Sequence, residues 1–291
     1  MKTELYTNKS VSACIKAAYT LFTSDIKAII KRLWLPALVN AGLLTMLFLL
    51  YLPNKTFNEI GLAHPMTTWA LIIGCYALAA ASGIWLTASI ATLLNGERLR
   101  QNILKASALT GIHLVVLAIS VCTASLAPSF LANLLHPSLF ASPENSIIAG
   151  SIIAAIMLLL LSIFSLPFMF AFMRYQIDHK TQLTEVFGAG YKTGIRHWGY
   201  LFATGFIALL LTLVACFIAF IPLLITTLAQ TFNQLGMLNG DPDGVPTHFI
   251  YLLIATCLIT MFMLCFIGVW IFFVSYYTYG SIETRERAPR L

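Results

Sequence analysis

Charge is what this sequence has least of. Asp, Glu, Lys and Arg make up 10% of its 291 residues, against about 25% in an ordinary soluble domain. None of them falls inside the six long apolar runs that dominate the chain. Ionisable groups within a membrane span usually mark proton relays and coupling-ion sites, so their absence argues against a proton-driven pump. It also argues against most intramembrane acid–base enzymes, which hold a carboxylate or His beside the reacting atom. The chain has no GxSxG, HExxH or P-loop, and no aspartate-rich motif of the kind lipid-headgroup transferases use. No CxxC occurs among Cys14, Cys75, Cys122, Cys216, Cys257 and Cys265, and five of these lie in apolar runs, where Cys acts as a small hydrophobe. A disulfide framework or zinc site is therefore not expected. Alternating segments of about ten residues, the mark of a membrane β-barrel, are missing too. No connector is long enough for a separate soluble domain.

What is present is hydrophobic length. The apolar runs cover Leu33–Leu52, Thr68–Leu94, Ala108–Leu135, Ile147–Met173, Trp198–Leu228 and Phe249–Tyr279. Each can cross a hydrocarbon core of about 30 Å at about 1.5 Å per residue. Lipid cannot satisfy backbone polar groups, so such runs are read as helices. The expected fold is all-α: an integral membrane bundle of six transmembrane helices with cytoplasmic amphipathic interfacial helices. Its expected parts are a cytoplasmic N-terminal segment (1–32), the six-helix transmembrane domain (33–279) and a short charged tail (280–291).

Of the 17 Lys and Arg, every one except Lys55 falls at the termini or in the even-numbered connectors. The positive-inside rule then places both termini in the cytoplasm. The basic surplus follows from this topology and from anionic lipid at the inner face, with no nucleic-acid partner implied. No cleavable signal peptide is expected, because the first apolar core starts too late and lacks a small-residue cleavage site.

The chain also repeats itself. The stretch Tyr191–Tyr200 ends a basic connector and opens a long apolar run, and Thr110-Gly111-Ile112-His113 echoes Thr193-Gly194-Ile195 followed by a His. Ser12 to Tyr19 repeats the spacing of Thr184 to Tyr191. This suggests three copies of one unit, an interfacial segment followed by a helical hairpin. In the first copy, residues 1–9 read as loose. Val11, Cys14, Ile15, Ala18, Phe22, Ile26, Ile29, Ile30 and Leu33 then recur at helical spacing, with Lys16, Lys27 and Lys31 on another face. Residues 10–32 thus read as one amphipathic helix in the headgroup plane, serving lipid sensing, partner docking or simple anchoring of the first span. The third copy (residues 174–197) has Leu183, Val186, Phe187, Tyr191, Ile195 and Trp198 as its apolar face. Its Gly188, Gly190 and Gly194 imply a weak helix or one packed tightly on a neighbour. Lys16, Lys27, Lys31, Arg32, Lys192 and Arg196 are the candidate lipid-interface residues.

Within the spans, Asn40 needs a partner and can link two helices. Small residues such as Ala77/Ala81 and Ala79/Gly83 mark the second span as the packing centre, with Trp85 filling the gap they leave. Pro36 is read in a first helical turn, whereas Pro128, Pro167 and Pro222 are expected to kink their helices. Tyr276, Tyr277 and Tyr279 read as an inner aromatic belt.

Two metal readings are weighed. His64, His136 and His248 fall one in each outer loop and could together hold Zn²⁺ with a water, although they share no ligand spacing. Asp241 and Asp243, in Asn239–Gly244, match the start of a calcium loop, but its twelfth position is Ile250 where a bidentate Glu is needed. Asp-Pro and Asp-Gly are also ordinary turn formers, and no metal or other cofactor is expected. Asn54-Lys55-Thr56 is a glycosylation sequon that matters only in a eukaryotic source.

The basic segment feeding a long hairpin at Tyr191–Tyr200 resembles poorly characterised bacterial multi-pass proteins, including the membrane domain found beside glycerophosphodiester phosphodiesterases. The resemblance is one of layout over most of the chain, and it implies a bacterial inner membrane. It carries over no functional residues and no phosphodiesterase activity, since this sequence shows no catalytic domain. The leading expectation is a non-enzymatic membrane protein that organises anionic lipid, a membrane-protein partner or a second copy of itself. The alternatives are a permease for a neutral or apolar solute, through a polar cavity at Asn40, Ser82, Ser162 and Ser165, and an outer-surface metal enzyme.

Overall fold

The computed structural model describes residues 5–52, 65–134, 143–240, 246 and 248–287. Among these the chain is helical, with no strand. The elements are α1 (Val11–Ser24), α2 (Ile26–Tyr51), α3 (Pro65–Asn95), α4 (Leu99–Leu134), α5 (Pro143–Ile177) and the single turn α6 (Leu183–Glu185). A π-helical turn (Val186–Gly190), α7 (Tyr191–Arg196), α8 (Trp198–Leu238) and α9 (Phe249–Arg287) complete it. Six of these helices, α2 to α5 with α8 and α9, are long and apolar enough to cross a membrane. The all-α, six-span expectation therefore holds, and the chain is a multi-pass membrane protein.

The chain forms two compact units, Met1–Ala106 with Ala203–Leu291, and Ser107–Phe202. In the first, α1 and α2 both pack on α9, and α3 packs on α2. The small residues of α3 divide: Ala79 and Cys75 form an apolar cluster with Leu47 of α2, and Ala88 and Ala91 are fully buried, but Ala77 and Ala81 are exposed and make no close helix contact of the expected kind. The best-buried span is α9, however, and not the second span. Residues 276–282 are buried on every side of the helix. Tyr276, Tyr277 and Tyr279 are thus core residues and no interfacial belt. Periodicity could not show this, because an aromatic run reads alike at an interface and in a core.

What encloses α9 there is the N-terminus. Residues 5–9, read from sequence as loose, lie along the helix: Lys9 N–H donates to Ser281 Oγ at 3.0 Å, and Ser281 Oγ donates back to the Lys9 carbonyl at 3.0 Å. Arg285 reaches Asn8 Oδ1 at 2.9 Å and the Lys9 carbonyl at 2.9 Å. Tyr6 packs edge-on to Tyr279, and the Arg287 guanidinium lies 4.9 Å from the Tyr6 ring centroid. Leu5 is buried where Gly280 lacks a side chain: a Cβ there would collide with the Leu5 carbonyl and side chain. α9 itself continues unbroken past Tyr279 to Arg287, so residues 280–287 are helix.

The amphipathic stretch 10–32 is two helices. Ser10 caps α1, its hydroxyl accepting from the Ala13 N–H at 3.4 Å. The chain breaks at Asp25 (φ −107°, ψ 17°) before α2 begins. Cys14, Ala18 and Leu21 of α1 are buried, and Phe22 meets Phe273 of α9 edge-on. Because α2 starts at Ile26, Pro36 lies well inside a helix and not in its first turn. Pro167 and Pro222 also lie inside helices. Pro128 falls in α4, where its side chain is outside the described set.

Candidate functional site: a glycine clamp on a helix proline

The repeated stretch around Tyr191 finds its physical role against Pro167. Proline has no N–H, so the Ile163 carbonyl, four residues earlier in α5, loses its helical donor. The Trp198 indole N–H supplies a replacement, donating to that carbonyl at 3.4 Å. The Tyr191 hydroxyl donates to the next carbonyl, that of Phe164, at 3.2 Å. Between these bonds the backbones touch. A Cβ on Gly194 would lie 2.5 Å from the Pro167 oxygen and 2.8 Å from its Cα. A Cβ on Gly190 would lie 3.1 Å from the Ala171 Cβ. Gly190 and Gly194, four residues apart, thus face Ala171 and Pro167, also four apart. This is the close-approach geometry that small residues permit between membrane helices.

The wide π turn at Val186–Gly190 makes that register possible. Its glycines hold an α-helix weakly, and π turns recur where a helix must be re-aimed. Gly190 and Gly194 are the tightly packed pair, whereas a Cβ on Gly188 would meet nothing within 4 Å. The aromatic surround continues outward: the Phe168 ring lies 4.6 Å from Tyr191, 5.4 Å from Phe172 and 5.7 Å from Phe187, centroid to centroid. The predicted apolar face of this segment is divided. Val186 is buried, while Leu183, Phe187 and Ile195 are exposed, as are Lys192 and Arg196.

The sequence echoes are unequal in structure. The break after α7 falls at His197 (φ −105°, ψ 24°), close in conformation to the Asp25 break before α2. The spacing that pairs Tyr19 with Tyr191 also pairs Asp25 with His197. The Thr110–His113 echo lies inside unbroken α4. There Gly111 would meet nothing within 4 Å, and His113 bonds the Leu109 carbonyl through Nδ1 at 2.8 Å while its ring packs on Phe172. The α3–α4 junction has a different device that sequence reading missed. Asn102, fully buried, donates to Thr92 Oγ1 at 2.9 Å, and Asn95 Nδ2 donates to Asn102 Oδ1 at 3.0 Å. Lys105 pairs with the buried Glu97 at 3.4 Å. The turn passes through Gly96 at φ +71°, a left-handed value suited to Gly. The signal that could have found it is the Asn-Gly-Glu sequence ending an apolar run.

Asn40, half-buried, is paired as expected. Its Oδ1 accepts from Ser82 Oγ at 2.8 Å, and its Nδ2 donates to Cys265 Sγ at 3.4 Å, tying α2 to α3 and α9. Ser162 and Ser165 are exposed and turn their hydroxyls back onto Leu158 and Ser162 carbonyls of their own helix. The permease reading needed these four positions to line a polar cavity. The structure uses the first two as helix glue and leaves the second two satisfied locally.

Lys16, Lys27, Lys31, Arg32, Lys192 and Arg196 are all exposed. His64, His136, Asp241 and Asp243 lie outside the described residues, while His248 is exposed. Among the described residues no group of three His, Cys, Asp or Glu is placed to hold a metal ion. No family model, curated protein or solved structure matches the chain.

Proposed function

We propose that this chain is a non-enzymatic protein of a bacterial inner membrane whose basic cytoplasmic face organises lipid or a partner protein. The observation that carries the reading is charge placement. All but one of the 17 Lys and Arg fall at the termini or in even-numbered connectors, and the six candidate interface cations are exposed. The bonds between residues 8–9 and 281–285 support a shared side for the two ends of the chain. The positive-inside rule makes that side the cytoplasm. The apolar side chains exposed along α4, α5 and α8 suit a lipid surround. The resemblance in layout to the membrane domain beside glycerophosphodiester phosphodiesterases, read from sequence, is in keeping with a lipid-associated role and adds no catalytic step.

Charge reversal tests the reading. Lys16→Glu, Lys27→Glu and Lys31→Glu together should strip anionic lipid, or a co-purifying protein, from the detergent-purified chain, as read by native mass spectrometry. Unchanged lipid and protein association would reject it.

A further inference from the structure

Two pairs of cations stand out from the other basic residues. Among the 17 Lys and Arg, only Lys27/Lys31 and Lys192/Arg196 are four residues apart. Each pair sits in the same short pattern: Lys27-Ala28-Ile29-Ile30-Lys31 and Lys192-Thr193-Gly194-Ile195-Arg196. The burial pattern matches as well. The middle residue, Ile29 or Gly194, is buried, while both cations and the Ile beside the second one are exposed. Ile30 is 44% exposed and Ile195 53%. Residues three and four apart share a helix face, so each pattern presents two cations around one exposed branched aliphatic side chain. Both adjoin a helix break that precedes a span, Lys27–Lys31 just after Asp25 and Lys192–Arg196 just before His197.

We propose that each pattern is a binding site for one anionic phospholipid. This rests on the reading that the basic face organises lipid, and it narrows that reading to two discrete places. Two cations one turn apart match a phosphodiester and its neighbouring oxygens. The exposed Ile30 and Ile195, the first with exposed Trp34 four residues on, match an acyl chain. A free phosphate would use only the first half of such a surface, and a soluble acidic peptide would leave the second half in water. Long Lys and Arg stems can lie along apolar surface while their charges reach the headgroup level.

Each site is also held in shape. Gly194 is fixed by the backbone contact with Pro167, and Ile29 is fully buried. A pre-shaped surface loses less on binding than a flexible one. The α3–α4 junction is the internal contrast. Arg100 is exposed and Asn102 is buried in the middle position, but position 104 is Leu. It lacks the second cation, so two sites are expected and not three.

The test is native mass spectrometry of the full chain titrated with phosphatidylglycerol or phosphatidylcholine, with melting temperature in detergent as a folding control. Wild type should hold two phosphatidylglycerol molecules in preference to phosphatidylcholine. Lys192→Gln with Arg196→Gln should remove one, as should Lys27→Gln with Lys31→Gln. Near an anionic surface two cations correspond to roughly 30-fold in affinity. The combined variant should lose both lipids, and Arg98→Gln with Arg100→Gln should keep both. Charge-retaining Lys27→Arg and Lys192→Arg should bind as wild type, and glycerol phosphate should not compete. Equal loss in the Arg98/Arg100 control, or full retention in either pair variant, would overturn the two sites while leaving a diffuse anionic-lipid preference intact. Wild type that prefers neither lipid would overturn the broader reading as well.

Discussion

Adding one methyl group at Gly194 should loosen the contact on which the α7 segment depends. In Gly194→Ala the new Cβ would stand 2.5 Å from the Pro167 oxygen, 2.8 Å from its Cα and 2.9 Å from its Cβ. All three atoms belong to backbone or to a rigid ring, so no side chain can rotate away. Ordinary contact requires the segment to lift by about 0.5–1 Å, in an interior with little free volume. The Trp198 bond to Ile163, already 3.4 Å, would then break, and the 3.2 Å Tyr191 bond to Phe164 would stretch. Overpacking costs about 1–3 kcal/mol and each lost hydrogen bond about 0.5–1.5 kcal/mol. Replacing Gly by Ala in a helix returns about 1 kcal/mol. The net expectation is a destabilisation of about 2 kcal/mol, read by unfolding in mixed detergent micelles. Gly188→Ala and Gly199→Ala are the controls, because a Cβ at either meets nothing within 4 Å. They should be neutral or more stable than wild type. A Gly194→Ala protein as stable as these controls would refute the clamp.

Three further outcomes follow from the packing. Trp198→Phe should cost about 1 kcal/mol in wild type and less beside Pro167→Ala, because an Ala at 167 restores the N–H that bonds Ile163; equal costs in a double-mutant cycle would separate the indole from the proline. Gly280→Val should displace Leu5 from α9, seen as faster amide exchange or easier proteolysis over residues 5–9, and unchanged protection would show that the N-terminal strap does not depend on Gly280. Asn40→Leu should destabilise by about 1–2 kcal/mol by leaving the buried Ser82 hydroxyl without its inter-helix acceptor, and a neutral result in the same micelle titration would show that this tie is dispensable.

Much of this protein was legible from composition and run length alone. Six apolar runs free of charge have one stable solution in lipid, a set of spanning helices, because every backbone polar group must be satisfied within its own segment. The need of Asn40 for a partner, and the meaning of Gly190 and Gly194 as a tight contact, were also readable. Those statements rest on local chemistry: an amide within an apolar run must be bonded, and a missing Cβ permits approach.

Which surface meets which was decided only in three dimensions. Tyr276, Tyr277 and Tyr279 look the same in sequence whether they face headgroups or a core; the N-terminal strap and α1 made them core. Residues 10–32 carry one periodic pattern, yet Asp25 divides it, because α1 packs on α9 while α2 continues into a span. Pro36 moved from a helix start to a helix interior for the same reason. Thr110–His113 and Thr193–His197 share letters, but only the second packs on a helix proline. The sequence by itself determined how many helices cross and where charge must stay. Tertiary packing decided the partners, because an apolar face in a membrane can be covered equally well by lipid or by another helix, and only close contacts such as Gly194 on Pro167 distinguish the two.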